Sequence, residues 1–128
     1  MATQTIALFG EAEKGAFHTG TLLSTLPQLE DCFGNPPPET WGMFLAIQTL
    51  LYQYRLIYFR VKEEGFSRND YLIGFRSLAE SDLVSEVVAL GIPGVGDAEV
   101  IEAASPLVEE HHQILITTQA DLYDLVHR

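Results

Sequence analysis

A single α/β domain, built on a mostly parallel β-sheet of about five strands with helices on both faces, is the fold class this sequence predicts, and three observations predict it. From Leu56 onward strand-like and helix-like segments alternate: LIYFRV, RNDYLIGFRSLAE, VVALGI, DAEVIEAASPLVEEHH, QILITT and ADLYDLVHR. Such a succession makes right-handed βαβ crossovers between parallel strands. Val87 to Ile92 is apolar at both alternating positions, as expected of an interior strand covered on both faces. Finally, 128 residues at 47% hydrophobic content suffice for one core, so residues 1–128 read as one domain.

Taken in order, Thr5 to Gly10 is a short apolar run ended by glycine and predicts the first strand. The mixed-charge EAEKGAFHTG reads as a loop, and Thr21 to Thr25 as a second short strand. Pro27 suits the first turn of a helix running through Phe33, which Gly34 ends. The prolines of NPPPET form a rigid connector within the domain. Thr40 to Tyr54 then places Trp41, Phe44, Leu45, Gln48, Leu51 and Tyr52 at helical spacing, with apolar residues around most of the circumference, which predicts a nearly buried helix.

Leu56 to Val61 is β-branched and aromatic and reads as a strand. Ser67 is placed to cap a helix whose Tyr71, Leu72, Phe75 and Leu78 repeat at three and four residues. After the strand Val87–Ile92, Asp97 caps the next helix, which Pro106 is expected to kink or split. Gln113 to Thr118 is the last strand and ADLYDLVHR a closing helix. Three parallel strands are expected side by side from Leu56 onward, with the placement of the first two strands left open.

Charge narrows the function classes. The net charge is −11, and from Ser77 to Val126 there are ten acidic residues and no Lys or Arg. Five of the seven basic residues, Arg55, Arg60, Lys62, Arg68 and Arg76, fall between positions 55 and 76. Nucleic-acid binding is disfavoured, because neutralising phosphates needs a larger basic patch. No run approaches the roughly 18 apolar residues of a membrane span, no secretory leader is apparent, and the single cysteine fits a reducing compartment, so a cytoplasmic protein is expected. If the basic and acidic segments lie on different faces, the molecule is electrically two-sided. Arg55, Arg60, Lys62, Arg68 and Arg76 of one copy would then meet acidic residues such as Glu99, Glu102, Glu109 and Glu110 of the next. The other reading is an acidic surface that merely keeps the protein soluble.

No catalytic pattern rises above background. The glycines of LGIPGVGD, Leu90 to Asp97, sit at the carboxyl end of a parallel strand, where α/β folds bind ligands. Their spacing is neither GxxxxGK[ST] nor GxGxxG, and Asp97 and Glu99 would repel an anion, so a tight strand-to-helix turn at Gly94 and Gly96 is expected. Glu109 to His112 lacks metal-ligand spacing, since adjacent helical residues point about 100° apart. His18 and His127 have no visible partner. Cys32 has no basic neighbour to activate it and reads as a buried or half-buried apolar residue. The serines lack a GxSxG setting. No catalytic residue, cofactor or metal is expected.

Three segments, in order, resemble the globular domain of contractile phage tail sheath proteins: IALFGEAEKGAFHTGTLLSTLPQLEDCFGNPP, AIQTLLYQYRLIYFRV and VVALGIPGVGDAEVIEAA. The resemblance implies a non-enzymatic structural role, with self-assembly into rings or a tube around a central tube. Sheath proteins are generally longer and link subunits through terminal arms and a C-terminal domain; no arm of useful length is visible here, so a reduced sheath-like domain is expected. The expected partner is the protein itself, and with it a tube-like or other assembly protein. The alternatives are an adaptor binding a basic partner and, further off, a nucleotide binder or enzyme using the Gly91–Asp97 loop.

Overall fold

The computed structural model describes residues 4–127. Its elements are β1 (Thr5–Gly10), β2 (Thr21–Leu23), α1 (Leu26–Phe33), α2 (Gly42–Leu51), β3 (Arg55–Arg60), α3 (Arg68–Ala79), a 3₁₀ turn at Val84–Glu86, β4 (Val87–Gly91), α4 (Ala98–Glu110), β5 (Ile114–Ile116) and α5 (Gln119–Val126). They form one five-stranded sheet in the order β2-β3-β1-β4-β5, parallel throughout except for β2, which runs antiparallel to β3. The expected α/β class with helices on both faces is what the chain adopts.

The sheet order corrects one expectation. β3, β4 and β5 are not consecutive neighbours, because β1 lies between β3 and β4. All six residues of β1 are buried, and a strand that is apolar on both faces needs a neighbour on each side and a helix layer above and below. The two-fold alternation of its side chains divides the core. Ile6 and Leu8 join Leu56 and Tyr58 under α1, α2 and α5, whereas Ala7 and Phe9 join Ile57 and Phe59 under α3 and α4. Phe9 stacks on Phe59 at 4.4 Å and meets Phe75 edge-on at 5.0 Å, which ties the central strand to α3.

Local signals set most of the boundaries. Thr25 and Gln28 form a reciprocal capping box on α1 that takes Thr25 out of the predicted strand, and Gly34 ends the helix at φ 75°. Asp97 accepts the Glu99 N–H at 2.8 Å as the cap of α4. Ser67 precedes α3 but makes no cap bond; its hydroxyl instead accepts the Glu63 N–H at 2.6 Å within the preceding turn. Pro106 does not split α4, which runs unbroken to Glu110.

Candidate interaction surface

At the carboxyl edge of the sheet the glycine loop lies beside the start of α2, where Pro93 and Gly94 share a cavity with Trp41. In an open α/β sheet the ligand crevice lies where the strand order reverses, here between the ends of β1 and β4. The nearest helix start able to receive an anion is that of α2, and it is already occupied from within. The Glu64 carboxylate accepts the N–H groups of Trp41 at 2.6 Å, Gly42 at 2.9 Å and Glu11 at 3.1 Å. Glu11 reciprocates by accepting the Glu64 N–H at 3.0 Å. The chain's own anion thus sits where a bound anion would gain most from the helix dipole.

That interlock depends on close backbone approach. A Cβ on Gly10 would lie 2.6 Å from the Gly42 Cα, so the end of β1 and the start of α2 meet without room for a side chain. Tyr58 donates its hydroxyl to the Glu11 carbonyl at 2.9 Å, and the Tyr71 hydroxyl accepts the Gly65 N–H at 2.7 Å. Burial pushes the Glu64 carboxyl above its ordinary value against the opposing pull of its N–H donors, and pushes both tyrosine hydroxyls up as well. All these groups are engaged in holding backbone. Sequence reading missed Glu11 and Glu64 because a buried role for carboxylates 53 positions apart leaves no local pattern.

Within the glycine loop, Gly94 takes φ 79° and makes the turn, while Gly96 is neither left-handed nor close to other atoms. Pro93 and Gly94, together with Trp41 and the 117–120 turn, line a predominantly apolar cavity of about 430 Å³ at the carboxyl ends of β4 and β5. Asp121 holds the 117–118 turn in place. It accepts the N–H groups of Thr117 and Thr118, and its carboxyl is held below the ordinary value chiefly by the Thr117 N–H.

The charged residues do not divide into opposed faces. Helices α3 and α4 pack side by side, and Arg68 on α3 bridges to Asp97 at 2.8 Å and to Glu99 at 3.1 Å, which holds Asp97 below the usual carboxylate range. Arg55 bonds Glu86 at 2.9 Å. Arg76 and Glu110 line one groove between α3 and α4. Arg60 donates to the Gly15 carbonyl and lies over the Phe17 ring. Lys62, Glu102 and Glu109 are exposed, as is Cys32, contrary to the expectation of a buried thiol. His18 lies 2.6 Å from Asp70, a partner contributed from across the fold.

Helix α2 departs most from expectation. Its inner face is buried, with Met43, Leu45, Ala46 and Leu50 in the core. Its outer face is not covered: Trp41 is 51% exposed, Phe44 40%, Leu51 62% and Tyr52 45%. No charged residue occurs from Trp41 to Tyr54. The stripe continues onto α5, where His127 packs between Tyr52 and the 61%-exposed Tyr123. The periodicity that predicted burial was correct about the helix but could not say that one side would lack a covering element.

Among the described residues no helix is long and apolar enough to cross a membrane, and no group of three or more His, Cys, Asp or Glu residues is placed to hold a metal ion. Comparison with protein-family models, with curated proteins and with solved structures finds no match to this chain.

Proposed function

We propose that this chain is a non-enzymatic structural protein that acts by associating with copies of itself, as the tail-sheath-like order of its segments suggests. The observation that carries the proposal is the outer stripe of α2: four large apolar or aromatic side chains in a run of fourteen uncharged residues, on a molecule whose net charge is −11. A single domain seldom leaves such a continuous surface to water unless something binds there. Complementary charged faces are less well supported as the contact, because Arg55 and Arg68 already have acidic partners within the chain.

Salt separates these two contacts by sign. An interface of ion pairs loosens as the Debye length falls from about 10 Å at 0.1 M to about 3 Å at 1 M. An apolar interface between two strongly acidic copies tightens over the same range, because their mutual repulsion is screened. Sedimentation and negative-stain microscopy across a salt series test the proposal: oligomers, rings or filaments that persist or grow at 1 M salt support apolar self-association. A monodisperse monomer at every salt and protein concentration overturns it.

A second reading rests on the cavity beside Trp41. Its size is within the usual range for small-molecule sites, and its position at the strand ends is the usual one for α/β folds. The indole of Trp41 and the predominantly apolar lining favour an uncharged ring over an anion. Trp41 is the only tryptophan, so a titration with benzamide followed by the indole N–H resonance tests this reading directly.

A further inference from the structure

We infer that the α2 stripe pairs with the α2 stripe of a second copy about a two-fold axis passing close to Gln48, so that the unit of assembly is an isologous dimer. This inference rests on the self-association reading above and adds the identity of the partner surface and its symmetry.

Three observations select a second copy lying α2 against α2. Area comes first: with side chains of about 150–250 Å² each, the exposed fractions of Trp41, Phe44, Leu51, Tyr52 and Tyr123 amount to on the order of 500 Å² per copy. Two such stripes bury about 1,000 Å², which is where specific interfaces begin. Charge is the second. Any two copies repel through their acidic surfaces, whereas the run from Trp41 to Tyr54 holds no charged residue and can approach its own copy without opposing like charges. The third is the lack of an alternative match. A head-to-tail contact needs a second apolar patch of similar size, and the other exposed large apolar residues among those described are divided among several elements: Phe17 and Leu22 at the β2 edge, Leu26 at the start of α1, Phe66 before α3, and Ile73 on α3. The stripe matches only itself, and a patch that matches itself closes as a two-fold.

The position of the axis follows from helix geometry. Outward positions on α2 recur as Phe44, Gln48 and Leu51, so the half-buried Gln48 lies at the middle of the stripe. Antiparallel packing about that axis places Phe44 of one helix against the Leu51–Tyr52 end of the other, with Trp41 just beyond it, and sets Gln48 opposite Gln48. Helices packed 8–10 Å apart, with Cα atoms on cylinders of about 2.3 Å radius, bring facing Cα atoms within the 4.4–6.8 Å reach of a disulfide. A polar residue on the axis can also hydrogen-bond its own copy, which fixes the register of an otherwise apolar seam.

The test is disulfide trapping in the full chain with the exposed Cys32 replaced by serine. C32S/Q48C is expected to form a covalent dimer under mild oxidation at least tenfold faster than C32S/E102C, whose cysteine lies on α4 across the sheet. Leu51→Glu is expected to raise the dimer dissociation constant at least tenfold in sedimentation while leaving the circular dichroism spectrum unchanged. If oligomers form but C32S/Q48C traps no faster than C32S/E102C, the two-fold geometry is overturned and self-association stands. If neither the unsubstituted protein nor any variant associates, both fail. If Leu51→Glu proves misfolded, the trapping rates alone decide.

Discussion

The Glu64 carboxylate accepts the Gly42 N–H at 2.9 Å, closing the start of α2 with a side chain from the loop after β3. With the Trp41 and Glu11 N–H groups on the same carboxylate, one residue satisfies three donors, those of Gly42 and Glu11 partly buried, and joins the end of β1, the start of α2 and the loop after β3.

Glu64→Ala is therefore expected to destabilise the fold by roughly 2–3 kcal/mol, because hydrogen bonds to a charged acceptor are worth about 1.5–3 kcal/mol and the donors it leaves are poorly reached by water. Urea denaturation measures this; a loss below about 0.5 kcal/mol would show that water replaces the carboxylate readily. The pH dependence runs opposite to the usual carboxylate case. Burial raises the folded pKa of Glu64 above 4.5, so the folded state holds the proton more tightly than the unfolded chain does. Its ionisation therefore subtracts from stability as pH rises from the unfolded value through the raised folded one. A charge-neutral Glu64→Gln variant is expected to lose that slope.

Asp121 provides the opposite sign. Its carboxyl is depressed, chiefly by the Thr117 N–H, so its contribution is fully present above the unfolded pKa and is lost as pH falls through the lower folded value. Asp121→Asn should be less stable than the unsubstituted protein at neutral pH, and the gap should shrink on acidification. Thr118→Ala, which removes the cap oxygen that accepts the Asp121 N–H, should cost about 1 kcal/mol with a weaker pH dependence, because the Thr118 side chain is the least of the groups that hold the Asp121 carboxyl down. Parallel denaturation series at several pH values check both; a gap that widens in acid would contradict the assignment.

Gly10→Ala should cost about 1–3 kcal/mol through overpacking, because the added methyl meets the Gly42 backbone at 2.6 Å as well as the tips of Tyr58 and Glu64, which are themselves held by hydrogen bonds. Gly96→Ala, at a position with open space around it and no left-handed φ, should be close to neutral. Comparing their thermal midpoints tests whether glycine is required where the end of β1 meets α2 and dispensable at position 96 of the loop before α4.

Much of the fold was legible because its causes are local. Gly34 and Asp97 mark helix ends in the sequence as they do in space, whereas Thr25, read as strand, caps α1 with Gln28. The alternation from Arg55 onward gave the parallel strands, yet the central position of β1 follows from burial on both sides, which no pairing signal in TIALFG specifies. The charge division was visible, but its meaning depended on α3 lying beside α4, where Arg68 finds Asp97 and Glu99 at home instead of on a neighbour. The apolar circumference of α2 was equally visible. Whether its outer stripe would be covered depends on how many elements the chain has left to place over it, and that is a property of the whole fold.

Trp41 reports on that stripe without any labelling, since it is the only tryptophan and about half exposed in the monomer. Burial of its ring against a second copy should shift its emission to shorter wavelength and reduce quenching by acrylamide as protein concentration rises, more so at 1 M salt than at 0.1 M. Arg68→Glu should leave the curve at 1 M salt unchanged, where the added repulsion is screened, because Arg68 is occupied by Asp97 and Glu99 on the opposite side of the sheet. Phe44→Ser should abolish the concentration dependence while leaving the dilute spectrum nearly unchanged, because Phe44 meets the indole edge-on at 5.7 Å without enclosing it. Emission that responds to Arg68→Glu and not to Phe44→Ser would place the contact on the charged face.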